Sequence, residues 1–247
     1  MNSRKKILLI LISILLFVSC NNEVVVVYDI SKERFQREVA AYDAKYEKYL
    51  IIDTRTEAEY RNGHIVDALN YSLTDLNTRF YEIEDLKNVR TYVYGNTADE
   101  SFAVAKYLGQ HGYKTILNCA GVDEAEYEFV MYHPVRLPHG FEMAEKFSYR
   151  LFDYRTKIIH DQYTIPNANF LAYPNIEDLL DAVAYATGYV VFSTNVKHAK
   201  ECAAKLVDYG FRNVYYCIDN ILDYPKYFEY TERQLEVDET SNETPAP

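Results

Sequence analysis

The 247-residue chain contains no tryptophan, and cysteine, proline and glycine number only four, seven and eight. Four cysteines without any C-x-x-C spacing exclude a disulfide-stapled scaffold and the thiolate pairs of zinc ribbons and redox motifs. The six histidines are scattered, so neither a metal centre nor a cofactor is expected. Basic residues are short as well: 26 Lys and Arg face 37 Asp and Glu, a formal charge of -11. That deficit argues against nucleic acid as a partner and against electrostatic docking on anionic lipid. What abounds is tyrosine, at 25 residues. Amphipathic tyrosines suit half-buried strands and helix faces, and a tyrosine-rich partner surface is the alternative.

One long apolar run exists, at the start. "MNSRKKILLILISILLFVSCNN" places Arg4, Lys5 and Lys6 before Ile7–Val18, followed by Ser19 and Cys20. A basic segment, a short apolar segment and a small residue before the cut make up a secretory signal. The run has about 12 residues, against roughly 20 for a bilayer-spanning helix. "FVSC" resembles the lipobox of bacterial lipoproteins, with Phe17 in place of the usual Leu. The resemblance implies lipidation at Cys20 and a chain anchored in the cell envelope, facing the periplasm or the cell surface; a plain signal or an uncleaved anchor is the alternative. The tail 232–247, "ERQLEVDETSNETPAP", is acidic and lacks aromatics, and is expected to be disordered.

Between these ends the chain repeats itself. "YLIIDTRTEAEYRNGHIVDALNY" (49–71) aligns with "YRLFDYRTKIIHDQYTIPNANFL" (149–171), pairing Asp53 with Asp153, Arg55 with Arg155 and Ala68 with Ala168. Further on, "AVAKYLGQHGYKTILNCAG" (103–121) aligns with "ECAAKLVDYGFRNVYYCID" (201–219), pairing Gly112 with Gly210 and Cys119 with Cys217. In each copy short apolar strands alternate with helical periodicity, which predicts an α/β fold with a parallel, doubly wound sheet flanked by helices. A helix is expected over 72–83 and over 175–186. The expected organisation is a signal at 1–19, domain one at 20–125, a linker at 126–148 carrying two prolines, domain two at 149–231, and the tail. In open sheets of this kind ligands collect at the carboxyl ends of the strands. The loop "TYVYGNTADES" (91–101) sits at such an end.

These residues resemble the rhodanese family, including its tandem-domain sulfurtransferases. "LIIDTRTEAEYRNGHIVDALNYSL" is similar to the family's strand, Asp-x-Arg, Gly-His-Ile signature, and "SFAVAKYLGQHGYKTI" to the helix after its active loop. "YDISKERFQREV" (28–39) fits the family's opening helix. The resemblance implies a sulfur carrier: a cysteine opening a Cys-x-x-Gly-x-Arg-Ser loop takes sulfur as a persulfide and hands it to an acceptor. Backbone N–H groups at a helix start would lower that thiol's pKa and hold an oxyanion. Carried over, the cysteine position falls on Gly95, the Gly on Ala98, the Arg on Glu100 and the Ser on Ser101. In the second copy the cysteine position falls on Ser193, the Gly on Val196 and the Arg on His198. Neither copy holds the nucleophile, and a serine hydroxyl cannot carry a persulfide.

The second loop keeps polar groups, and Ser193, Thr194, Lys197, His198 and Lys200 are anion-binding candidates. A Ser193–His198 hydrolase lacks an orienting third group and an elbow motif. Asp53, Arg55, Asp153 and Arg155 are read as supporting the pocket by fixing the loop after the first strand. His64 is read as structural. Cys119 and Cys217 are read as buried small hydrophobes, with a displaced catalytic thiol or a disulfide as alternatives. The functional expectation is a catalytically inactive rhodanese-like lipoprotein that binds a protein partner or a small anion. Two alternatives stand beside it: a sulfurtransferase working through Cys119 or Cys217, and a purely structural accessory protein of an envelope complex.

Overall fold

The structure is a computed structural model, and it describes residues 26–45, 47–176 and 186–230. Cys20 with its signal, most of the helix expected over 175–186, and the tail lie outside the described residues. Among the described residues no helix is long and apolar enough to cross a membrane.

Two five-stranded sheets of one design make up the core. The first is ordered β1 (Val27–Ile30), β5 (Thr115–Cys119), β4 (Arg90–Tyr94), β2 (Tyr49–Asp53), β3 (Ala68–Asn70). The second is ordered β6 (His133–Val135), β11 (Val214–Cys217), β10 (Tyr189–Phe192), β7 (Arg150–Asp153), β9 (Asn169–Phe170). All pairings within both sheets are parallel. The central strands read as continuous apolar runs because helices cover both faces, as "YLIID" of β2 shows. A short antiparallel pair, β8 (Tyr163–Thr164) with β12 (Glu229–Tyr230), lies apart.

Local chemistry sets the helices. Helix α1 spans Lys32–Lys45. Helices α2 (Glu57–Arg61) and α3 (Leu73–Arg79) each open on a capping box, Thr56 with Glu59 and Ser72 with Asp75. Helix α4 (Ala98–Gln110) and its counterpart α7 (Val196–Asp208) bury Val104, Ala105 and Leu108, and Cys202, Ala203 and Leu206. Both are followed by a glycine at φ +94°, Gly112 and Gly210, in the left-handed conformation that ends a helix.

The segment 126–148, expected to be a linker, carries β6 and helix α5 (Leu137–Phe147), the opening strand and helix of the second sheet. Its two prolines do not interrupt structure. Pro134 lies in an edge strand, where a missing N–H costs least, and Pro138 occupies the first turn of α5, whose N–H groups have no intrahelical partner. Helix α6 is a short turn at Lys157–His160.

The outermost strands β3 and β6 lie against each other, joining the two units. Arg136 spans the seam, bonding Asp219 at 2.9 Å in its own unit and Asp85 (2.9 Å) and the Glu82 carbonyl (2.6 Å) in the other. Asp67 of the first unit accepts from Lys200 at 2.8 Å and from the Tyr216 hydroxyl at 2.6 Å. The rings of His64 and His133 stack across the seam 4.9 Å apart.

Candidate functional site: two loops at the strand ends

Each unit has a loop between its central strand and the following helix, supported by an aspartate–arginine clasp. Asp53, fully buried, accepts from Arg55 Nε (3.1 Å), Nη2 (2.7 Å) and backbone N–H (2.9 Å), and from the Tyr94 hydroxyl (2.6 Å). Arg55 also donates to the Gly63 carbonyl at 2.8 Å, tying the end of β2 to the turn before β3. Burial works against its charge, but the bonds to Asp53 hold the guanidinium pKa above its ordinary value. In the second unit Asp153 and Arg155 form two bonds of 2.6 Å, Arg155 donates to the Tyr163 carbonyl at 3.1 Å, and His160 Nδ1 lies 2.9 Å from Asp153. In both arginines Nε and Nη2 are taken up by the aspartate and a backbone carbonyl, while Nη1 of Arg155 is buried without a hydrogen-bond partner.

In the first unit the loop holds Gly95 at its start and Thr97 as the cap of α4. A Cβ built on Gly95 would meet the Thr54 hydroxyl at 2.7 Å. Ser101 is buried and donates to Asn118 Oδ1 at 2.6 Å. The nest itself is occupied by the chain. Glu124 Oε2 accepts from the N–H of Ala98 (3.0 Å) and of Gly121 (2.7 Å), the place where an anion would sit at the helix start. The turn bearing it lies directly on the loop: Val122 N–H bonds the Gly95 carbonyl at 3.0 Å and Asp123 N–H the Asn96 carbonyl at 2.9 Å. Approach is so close that a Cβ on Gly121 would fall 2.1 Å from Asn96 O, so only glycine fits. Asp99 and Glu100 stand exposed on the first turn of α4, where the helix dipole favours acids.

The second loop is closed differently. The buried Ser193 hydroxyl donates inward to the Tyr154 carbonyl at 2.8 Å. Asn195 caps α7 by accepting from Lys197 N–H at 3.0 Å. The five anion-binding candidates do not converge. Lys200 is taken by Asp67 at the seam, His198 stacks on Tyr173 at 3.8 Å, and Lys197 extends outward within 4.0 Å of Glu201. Thr194 is left half-buried on the bend. A loop read as a cationic cradle is thus an ordinary capped helix start, because Ser193, His198 and Lys200 each turn to a partner on another element.

Cys119, Cys202 and Cys217 are fully buried and free, so no disulfide links them. Burial pushes all three thiols well above the usual thiol range, which leaves essentially no thiolate near neutral pH. His64 is buried, with Nδ1 3.1 Å from the Tyr60 carbonyl, and burial lowers its pKa to about 4.

Comparison with known proteins places this geometry. The Rhodanese-like domain family matches residues 31–121. The chain is 35% identical over 78 residues to a protein named "Sulfurtransferase" from Allochromatium vinosum, covering 32% of this chain and 71% of that one. This chain belongs to the rhodanese-like family. It is also 28% identical over 69 residues to a "Probable molybdopterin-synthase adenylyltransferase" from Porphyra purpurea, spanning 18% of that protein's length. Among solved structures it resembles a "rhodanese with anions from E. coli", with a TM-score of 0.31 and 25% identity over 34% of this chain and 98% of that one. A thiosulfate sulfurtransferase from Pseudomonas aeruginosa shares 14% identity at a TM-score of 0.37, covering 83% of this chain and 41% of that one.

As a rhodanese-like chain it is notable for a feature the motif pattern could not show. Glu124 lies outside the family's loop pattern, 29 residues after Gly95, and only the fold brings it to the helix start. The acidic run "GVDEAEYE" was its one visible trace.

Proposed function

We propose that this rhodanese-like protein has given up sulfur transfer and works as a binding or accessory module, exported and lipid-anchored through Cys20 in a bacterial cell envelope. One observation carries the loss of catalysis: the position of the sulfur-bearing cysteine is Gly95, and the anion nest beside it is filled by the protein's own Glu124 carboxylate. A persulfide needs a thiolate, and the three described thiols are buried where none ionises. A sulfurtransferase working through Cys119 or Cys217 would require one of these cores to open. The lipid anchor rests on the basic, apolar and "FVSC" segments at the start of the chain.

Release of thiocyanate from thiosulfate and cyanide tests the catalytic half. The native protein is expected to show no turnover above background. A Gly95→Cys, Glu100→Arg, Glu124→Ala variant, with Thr54→Ala to clear the hydroxyl that a Cβ would meet, is expected to gain measurable turnover. Turnover by the native protein that disappears with Cys119→Ala or Cys217→Ala would overturn the reading. Metabolic labelling with a clickable palmitate, lost in Cys20→Ala, tests the anchor.

A further inference from the structure

Beside the seam of β3 and β6, away from both loops, a cleft of about 550 Å³ opens between the two units. An adjoining hollow of about 470 Å³ shares Glu82, Arg136 and His139 with it, so the two form one elongated groove. Aromatic rings stand along this groove without an intramolecular reason to be exposed. Phe147 is 59% exposed at one end and Tyr81 is 72% exposed at the other. Half-buried Tyr149 lies between Phe147 and Tyr215, with ring centroids 6.2 and 5.9 Å away.

The polar groups among these rings are planar and already paired. Arg79 meets Glu82 through bonds of 2.9 and 3.0 Å, and Arg61 Nε meets Glu57 at 2.8 Å. The lining as a whole carries more acid than base, with Asp75, Glu84, Asp85 and Glu142 beside these pairs and Arg136 as the remaining arginine, so the groove disfavours an anionic ligand. A peptide adding itself as a strand finds no open edge beside the groove, because the edge strands β3 and β6 that flank it lie against one another. What remains is a set of flat apolar faces alternating with acids and arginines that keep lone pairs and N–H groups free for hydroxyls. That combination complements a sugar ring, whose C–H face is apolar and whose rim is hydroxylated.

We propose that this inter-unit groove binds a neutral linear glycan, with Phe147, Tyr149 and Tyr81 stacking on sugar faces and the Glu57–Arg61 and Glu82–Arg79 pairs bonding hydroxyls. The site shares no residue with either loop and stands whether or not the protein transfers sulfur. Neutral tetrasaccharides of glucose, galactose, mannose and N-acetylglucosamine, titrated into the full chain by calorimetry, test it. Tyrosine emission, free of tryptophan, follows the same titration. At least one is expected to bind saturably, and Phe147→Ala and Tyr81→Ala are each expected to weaken it roughly five- to tenfold. Both side chains are exposed, so folding is not at stake, and thermal melts verify this. Phe102→Ala, exposed on α4 outside the groove, is expected to change nothing. The proposal is overturned if none of the sugars saturates at millimolar concentration, or if sugar binding is indifferent to both variants. It is equally overturned if the aromatic anion anilinonaphthalenesulfonate binds saturably in an Arg61-dependent way where sugars do not.

Discussion

The two units share a strand order and a buried aspartate–arginine clasp, yet their loops are closed by different means. In the first, Glu124 reaches in from a neighbouring turn and accepts from two backbone N–H groups. In the second, Asn195 does the capping from within, and Ser193 turns its hydroxyl under the loop. The comparison teaches that the N–H groups at a helix start demand an acceptor whether or not chemistry happens there. Nearby oxygens fill that place in both units, and each unit uses its own. The clasp in both units holds backbone, through the Gly63 carbonyl in one and the Tyr163 carbonyl in the other.

The largest effect should come from breaking that shared feature. Asp53→Ala and Asp153→Ala each leave a buried guanidinium unpaired and should destabilise by about 3–5 kcal/mol, measured by chemical denaturation. The two units should respond alike; a small loss in either one would show that its clasp is not structural.

The second test loads the seam. His64 and His133 are held neutral, with pKa values lowered to about 4 and about 3; burial is the main cause in both, and for His133 the charge of its stacked neighbour His64 adds to it. Their folded values lie below the ordinary 6.5, so the unfolded chain takes up protons first as pH falls. Stability should be unaffected above about pH 7, decline from about 6.5 towards 4, and flatten as the folded rings themselves titrate. At about 1.4 kcal/mol per unit, the full loss should be on the order of 3 kcal/mol for His64 and somewhat more for His133. His64→Phe should remove its share of the slope in melts recorded across that range. A slope unchanged in His64→Phe would mean that this ring is not the one being kept neutral.

The smallest effect sharpens the loop comparison. Glu124→Ala and Asn195→Ala each remove an acceptor from a helix start and should cost about 0.5–1 kcal/mol. Only Glu124→Ala should leave the first nest open to sulfate, seen as sulfate-dependent stabilisation absent from the native protein and from Asn195→Ala. Equal sulfate dependence in all three proteins would remove Glu124 from the role assigned to it.

Much of the fold was legible in the residues. Apolar runs ending at Asp-x-Arg marked β2 and β7, and the glycines at 112 and 210 marked where α4 and α7 stop. The reading of Gly95 as the nucleophile position rests on a spacing count back from Ser101 and needs no coordinates. Residues 133–147 were misread because two prolines suggest a loop, while an edge strand and a first helical turn both tolerate proline. The cationic cluster of the second loop failed for another reason. Lys200 and His198 are near Ser193 in sequence, but a helix turns them toward different neighbours, and burial of the seam gave Lys200 a carboxylate 133 positions away.

By itself the sequence determined the repeated α/β architecture and the rhodanese-like signature, because both are written in local spacing and strand or helix periodicity. Only the tertiary structure decided that Glu124 fills the first nest, that Asp67 and Arg136 bind the units together, and that an aromatic groove opens at their seam. Those features join residues far apart in the chain, and their partners are chosen by packing and by the need of buried polar groups for a hydrogen bond, which no local pattern encodes.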